Sequence, residues 1–195
     1  MPHIDVADSA LLIIDAQPGF YPSTRTDVDH EAKERALDRI GWVTGVASGV
    51  VVPIVVTEED SATNGVTAPQ ISQYLSAETP VFSKEVFGAA DNPDIAHALA
   101  ALDRRCIVIV GMETDVCVMH TALSVRERGY RAVVVFDATF SASAAHGYGL
   151  ARLRQEGVEL VSAKELYYEW LRDLASVRAF DSAHPELTSP PGFSL

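Results

Sequence analysis

The sequence predicts an α/β protein: a single three-layer α/β/α domain built on an open, mostly parallel six-stranded sheet in Rossmann-like order 3-2-1-4-5-6. Three observations support this. Short apolar runs recur along the chain, longer stretches with helical spacing separate them, and 195 residues suit one sizeable core and are few for two. A strand covered by helices on both faces is apolar at consecutive rather than alternate positions, so unalternated runs between helices read as a parallel sheet.

In chain order, the strand candidates are "ALLIID" (10–15), "PIVVT" (53–57), "PVFS" (80–83), "CIVIVG" (106–111), "RAVVVFD" (131–137) and "VELVS" (158–162). Helices are expected over 29–49, 93–103, 115–129, 144–156 and 163–179. "DNPDIAHALAAL" carries an Asn or Asp cap and an early proline, and Gly129 supplies a left-handed stop after "SVRERG". Two segments fall outside this rhythm. Residues 58–80 form a long polar connection suited to an active-site loop. Residues 181–195, with their prolines, read as a tail on the surface or on a neighbouring subunit, leaving 1–180 as the domain.

Composition narrows the function classes. Fifteen Lys and Arg against 27 Asp and Glu give a net charge of −12, and no basic cluster offers a phosphate-binding surface, so no nucleic-acid partner is expected. No apolar run approaches the roughly 20 residues that span a bilayer, and "MPHIDVADSA" lacks the basic and apolar regions of a signal peptide; a cytoplasmic protein without a membrane partner is expected. Two cysteines, Cys106 and Cys117, make no disulfide framework and no zinc cluster. "DAQPGFYPS" has neither a glycine-rich dinucleotide fingerprint nor a phosphate loop, so no cofactor is expected and a non-catalytic flavodoxin-like module is a weak alternative.

In an open parallel sheet, ligands bind beyond the carboxyl ends of the strands where the strand order reverses. The residues at those ends are Asp15, Glu58 and Glu59, Lys84, the stretch Met112 to Cys117, and Asp137. A thiol in a first helical turn is stabilised as thiolate by the helix dipole and free N–H groups, although a lone cysteine is more often a small buried hydrophobe. Asp15 is placed to accept a proton, or else is an ordinary turn aspartate. Lys84, among apolar neighbours, either pairs with Asp15 and Cys117 or is a surface lysine beside Glu85. An acid, an amine and a thiol on the ends of strands 1, 3 and 4 converge at the switch point in the predicted order.

These residues resemble the isochorismatase-like cysteine hydrolases, which include nicotinamidases and N-carbamoylsarcosine amidases. The likeness runs through "LLIIDAQPGF", "VFSKEVFGAADNPDI", "GMETDVCVMHTALSVRERGY" and "VVVFDATFSASAAHGYGLARL", most of residues 8–163. Its most specific part is G-x-x-T-x-x-C-V-x-x-T-A from Gly111 to Ala122, with D-x-Q-x-x-F at Asp15, Gln17 and Phe20.

The resemblance implies a catalytic triad of Asp15, Lys84 and Cys117. Cys117 would attack the carbonyl of a small amide, ureido or carbamoyl substrate to give a thioester, Asp15 would serve the leaving amine and the water, and Lys84 would support the anions. It also implies a non-proline cis peptide at Met112–Glu113, which with Cys117 forms the oxyanion region, and a homo-oligomer, dimer or tetramer. Nicotinamidases carry a D-x-H metal motif after the second strand, where this chain has "VVTEEDSATNG" without histidine, so no metal site is expected. His146 matches a recurrent family position and is read as structural. True isochorismatases cleave a vinyl ether by acid catalysis and need no thiol, so an Asp15-led ether hydrolase is the alternative. Substrate-binding candidates are Gln17, Phe20, Tyr21, Glu59, Phe87 and Phe140, the aromatic ones as an apolar wall.

Overall fold

A computed structural model of the chain describes residues 3–192. The last three positions of the predicted tail, 193–195, and the first two of the predicted domain lie outside the described residues.

The elements run β1 (Ser9–Ile14), α1 (His30–Gly49), β2 (Ile54–Glu59), the single turns α2 (Ser61–Asn64) and α3 (Pro69–Ser72), β3 (Val81–Lys84), α4 (Pro93–Ala101), β4 (Cys106–Met112), α5 (Met119–Glu127), β5 (Arg131–Phe140), α6 (Ala145–Gln155), β6 (Glu159–Val161), α7 (Ala163–Leu171) and α8 (Leu174–Ala183). The six strands form one sheet in the order β3-β2-β1-β4-β5-β6, and every neighbouring pair is parallel. The expected order is therefore the observed one, and the sheet is wholly rather than mostly parallel.

The unalternated strands are explained by two cores. Along β1, Leu11 and Ile13 join the core that includes Trp42, Tyr167 and Trp170 of α1 and α7, whereas Ala10, Leu12 and Ile14 face the core that includes Ile95, Val118 and Leu153. All six β1 residues and all seven of β4 are buried, as central strands between helical layers must be. The edge strand β3 departs from this: Val81 is 51% exposed and only Lys84 is buried.

Caps set several helix starts. Asp29 accepts from the Ala32 N–H, Asn92 accepts from the Asp94 and Ile95 N–H groups with Pro93 in the first turn, and Ser162 with Glu165 makes a reciprocal capping box. The helix expected over 163–179 is two helices. Arg172 adopts φ +64° and Asp173 then caps α8 through the Ser176 N–H, so the apolar periodicity continues across a break that it does not reveal. Past α8 the chain turns back onto α1. Leu187 is buried and its carbonyl accepts a hydrogen bond from Trp42 Nε1 at 2.9 Å, so this residue of the expected tail packs on α1, and the start expected for the tail at 181 lies inside α8.

Candidate active site

Register brings the site residues together. Strand β2 pairs with β3 so that Glu59 lies beside Lys84, and β1 pairs with β2 and β4 so that Ile14 lies between Thr57 and Gly111. The next residue, Asp15, turns out of the sheet with φ +44°, a conformation that aspartate tolerates better than most residues. Its carboxylate enters the gap where the two halves of the sheet diverge.

There the Lys84 ammonium is the centre of a buried cluster. Its Nζ lies 2.6 Å from Asp15 Oδ2, 3.3 Å from Glu59 Oε2 and 3.5 Å from Cys117 Sγ, and it donates to the Val86 carbonyl at 3.0 Å. Asp15 Oδ1 accepts the Thr57 hydroxyl at 2.7 Å, and the Cys117 thiol donates to Glu59 Oε2 at 3.3 Å. Asp15 and Lys84 side chains are completely buried, whereas 24% of the Glu59 side chain reaches solvent. Ligand atoms of Asp15, Glu59 and Cys117 come within 4.8 Å of one another, the spacing a cation would need. Lys84 Nζ already contacts all three, so a fixed ammonium supplies the positive charge at this point.

The electrostatics differ from the sequence expectation of a thiolate at a helix start. Cys117 sits in a π-helical turn, Thr114–Val118, ahead of α5, and burial pushes its thiol well above the ordinary range, with the Asp15 and Glu59 charges adding to the rise against Lys84. One ammonium does not outweigh desolvation plus two carboxylates, so the resting group is the protonated thiol. Burial likewise raises the Asp15 carboxyl above its usual value despite Lys84, and makes it a stronger base than an exposed aspartate. The Lys84 ammonium is held in its charged form chiefly by Asp15, against its own burial.

The turn that carries Cys117 is pinned from three sides. Glu113 accepts the Tyr21 hydroxyl at 2.6 Å, Thr114 Oγ1 lies 2.8 Å from His146 Nδ1, and Asp115 accepts the Ser141 hydroxyl at 2.6 Å. The Met112–Glu113 peptide is cis. At Gly149 of α6 a Cβ would stand 2.8 Å from the Asp115 nitrogen, so the helix packs directly on the turn. Burial lowers the His146 pKa, and its ring serves the turn as a neutral hydrogen-bonding partner.

Asp15, Lys84 and Cys117 are thus brought together, and Glu59 joins them. The remaining candidates scatter. Gln17 is fully buried with both ends of its amide on backbone: Oε1 accepts from the Glu59 N–H at 2.8 Å, and Nε2 donates to the carbonyls of Glu59 and Gly65. It shapes the site and does not face a ligand. Tyr21 and Phe140 are buried and pack edge to face at 5.1 Å, Phe20 packs partly buried against the α1-side core, and Phe87 is 53% exposed against His120. The single aromatic wall is therefore separate groups. Glu58 is committed to the Thr67 N–H and hydroxyl, so the 58–80 connection is tied to the site through its own carboxylates. Strand β5 runs on to Phe140, which leaves Asp137 short of the strand end; it accepts from the Ala163 N–H and lies 3.7 Å from Arg39. A cavity of about 530 Å³ beside the site, lined by residues including Arg35, Arg39, Asp137, Phe140 and His146, does not include the triad. Sequence reasoning passed over Thr57 and Ser141, and foresaw Glu113 only as part of the cis peptide, not as the acceptor of the Tyr21 hydroxyl; a hydroxyl ending the otherwise aliphatic "IVVT" was the one available signal.

A doubly wound sheet with a buried acid, amine and thiol at its switch point defines an open-sheet α/β protein with a polar centre at the edge where such sheets bind ligands. Residues 9–165 match the isochorismatase domain, and the chain belongs to the isochorismatase family of hydrolases. It is 29% identical over 189 residues to a probable hydrolase, YcaC, from Escherichia coli, covering 93% of this chain and 88% of that protein. The solved Escherichia coli YcaC, described as an octameric hydrolase of unknown specificity, superposes with a TM-score of 0.81 at 25% identity over 96% of this chain and 93% of that one. A MAR1 ribonuclease from Caenorhabditis elegans superposes with a TM-score of 0.82 over 100% and 98% of the two chains; at 22% identity that likeness concerns the fold alone.

Proposed function

We propose that the protein is a cysteine-dependent hydrolase of a C–N bond in a small amide, ureido or carbamoyl compound. The observation that carries this reading is the buried Lys84 ammonium in contact with both Asp15, at 2.6 Å, and the Cys117 sulfur, at 3.5 Å. A buried lysine with these partners is costly for stability alone, and a pairing of nucleophile, base and fixed cation is what acyl transfer through a thiol requires.

In the proposed reaction, the Cys117 thiol gives up its proton to the carboxylates around Lys84, from which it reaches Asp15, as Sγ attacks the carbonyl carbon and the amide groups of the Glu113–Cys117 turn receive the oxyanion. Asp15 protonates the departing nitrogen as the C–N bond breaks. Asp15 then takes a proton from the water that hydrolyses the thioester and restores the thiol. Lys84 stays protonated and offsets the negative charge that passes among its neighbours. The protein acts as a homo-oligomer, as the octameric relative does.

The test is a panel of small amides, ureas and carbamates assayed with wild type and Cys117→Ala in parallel. Loss of turnover by at least about a thousandfold with the fold retained is expected, a range set by nucleophile removal in enzymes of this logic. Full activity in Cys117→Ala would sink the proposal and favour Asp15-led ether chemistry.

A further inference from the structure

We infer that Glu59 is the group that takes the proton from the Cys117 thiol, and that Gln17 is built to hold it there. This rests on the reading of Cys117 as nucleophile, and adds a residue to the site that the triad does not contain.

The geometry distinguishes the two carboxylates. Asp15 also faces the Cys117 thiol, but it has one oxygen on the Thr57 hydroxyl and the other 2.6 Å from Lys84, and its side chain is cut off from solvent. Glu59 Oε2 already accepts the thiol hydrogen bond at 3.3 Å and lies 3.3 Å from Lys84 Nζ, so the atom that receives the proton is also in contact with the group that passes it on. A base must first be within hydrogen-bond reach of the proton it removes. Glu59 occupies that position in the resting state.

The position is constructed. Parallel register sets Glu59 beside Lys84 at the ends of β2 and β3. The Gln17 side chain then binds both polar groups of the Glu59 backbone, accepting from its N–H at 2.8 Å and donating to its carbonyl at 3.1 Å, while Asn64 donates to the same carbonyl at 3.0 Å. Gln17 Nε2 also donates to the Gly65 carbonyl at 2.6 Å, so this fully buried amide ties the end of β2 to the loop that follows it and fixes the backbone from which the Glu59 side chain projects. The charged and titratable groups facing Glu59 are Lys84 from β3, Cys117 from the π-turn and Asp15 after β1; its neighbour Glu58 turns away to Thr67.

The step balances within the cluster. The S–H bond breaks, Sγ keeps the electron pair and forms the C–S bond, and the proton passes to Glu59 Oε2. Lys84 touches both carboxylates, so it takes that proton as it passes one of its own to Asp15, which delivers it to the leaving nitrogen. Lys84 ends as it began, and Glu59 is again a carboxylate.

The experiment uses p-nitrophenyl acetate, whose leaving group needs no proton, so that acylation of Cys117 reports thiol deprotonation and attack without the later steps. Burst rates and the acetyl mass on Cys117 are followed from mildly acidic to alkaline pH in wild type, Glu59→Gln, Asp15→Asn and Cys117→Ala. Glu59→Gln is expected to acylate about 100-fold more slowly than wild type on the acidic side, the scale of a lost general base. Its rate should then rise about tenfold per pH unit as hydroxide ionises the thiol directly, converging on wild type at alkaline pH. Gln17→Ala, which keeps the carboxylate but frees its backbone, should show the same alkaline recovery from a smaller loss, and it covers the case in which Glu59→Gln does not fold. A wild-type profile in Glu59→Gln, an equal loss at every pH, or the alkaline-recovering profile in Asp15→Asn instead would overturn the role of Glu59. A wild type that gains no acetyl mass, or a Cys117→Ala variant that keeps the burst, would overturn the reading of Cys117 itself.

Discussion

Two cysteines with similar burial have very different neighbours. Cys117 has an ammonium and two carboxylates around its sulfur. Cys106, at the start of β4, is buried in the α1-side core, and burial is the main cause that pushes its pKa from 9.0 up to about 11. The folded state therefore holds this proton more tightly than the unfolded chain does. The associated stability is fully present below the ordinary thiol pKa and is lost as pH rises through about 11. Two units correspond to about 3 kcal/mol. Denaturant unfolding from pH 8 to 11 should show wild type losing up to that much more stability than Cys106→Ala, whose cavity cost is the same at every pH. Parallel slopes for the two proteins would show that Cys106 does not titrate with unfolding.

Among the elements, β4 and the turn after it are held tightly by close backbone packing and side-chain contacts. Gly111 has φ +125°, and a Cβ there would stand 1.9 Å from the Ile14 carbonyl oxygen. The break in the apolar run at Gly111 is thus a position where β1 and β4 approach too closely for any side chain, just before both strands reach the site. Gly111→Ala should cost upwards of about 3 kcal/mol, at the severe end of single substitutions, because backbone conformation and close packing are both violated. A shift in denaturation midpoint worth less than about 1 kcal/mol would show that the strands can part there without penalty. The sequence revealed this element well: the run, the glycine and the cysteine are all in one short stretch. It did not reveal the π-turn, because "TDVCV" has helical spacing, while the wider Val118 N–H to Glu113 carbonyl bond goes with contacts of Glu113, Thr114 and Asp115 to Tyr21, His146 and Ser141, which are distant in the chain. Nor did it reveal the break at Arg172, where periodicity persists while the backbone reverses.

For the whole molecule, the segment after α8 packs back onto α1. Leu187 is 2% exposed against α1, and the Trp42 indole donates to its carbonyl. Leu187→Ala should therefore cost about 2–5 kcal/mol in unfolding experiments, the usual range for emptying a core leucine position, while p-nitrophenyl acetate acylation of Cys117 in the folded protein stays unchanged. A cost near zero would return this segment to the status of a loose tail. By itself, the sequence determined the fold class and the strand order, and singled out Asp15, Lys84 and Cys117 as residues that meet. Unalternated apolar runs, helix caps and family motifs are local properties, and a parallel sheet has few ways to connect them. Only the tertiary structure decided that Lys84 is shared among two carboxylates and a thiol, that the thiol rests protonated, and that Gln17 holds Glu59. Those outcomes depend on burial and on strand register, which join residues far apart in the chain and leave no periodic mark in it.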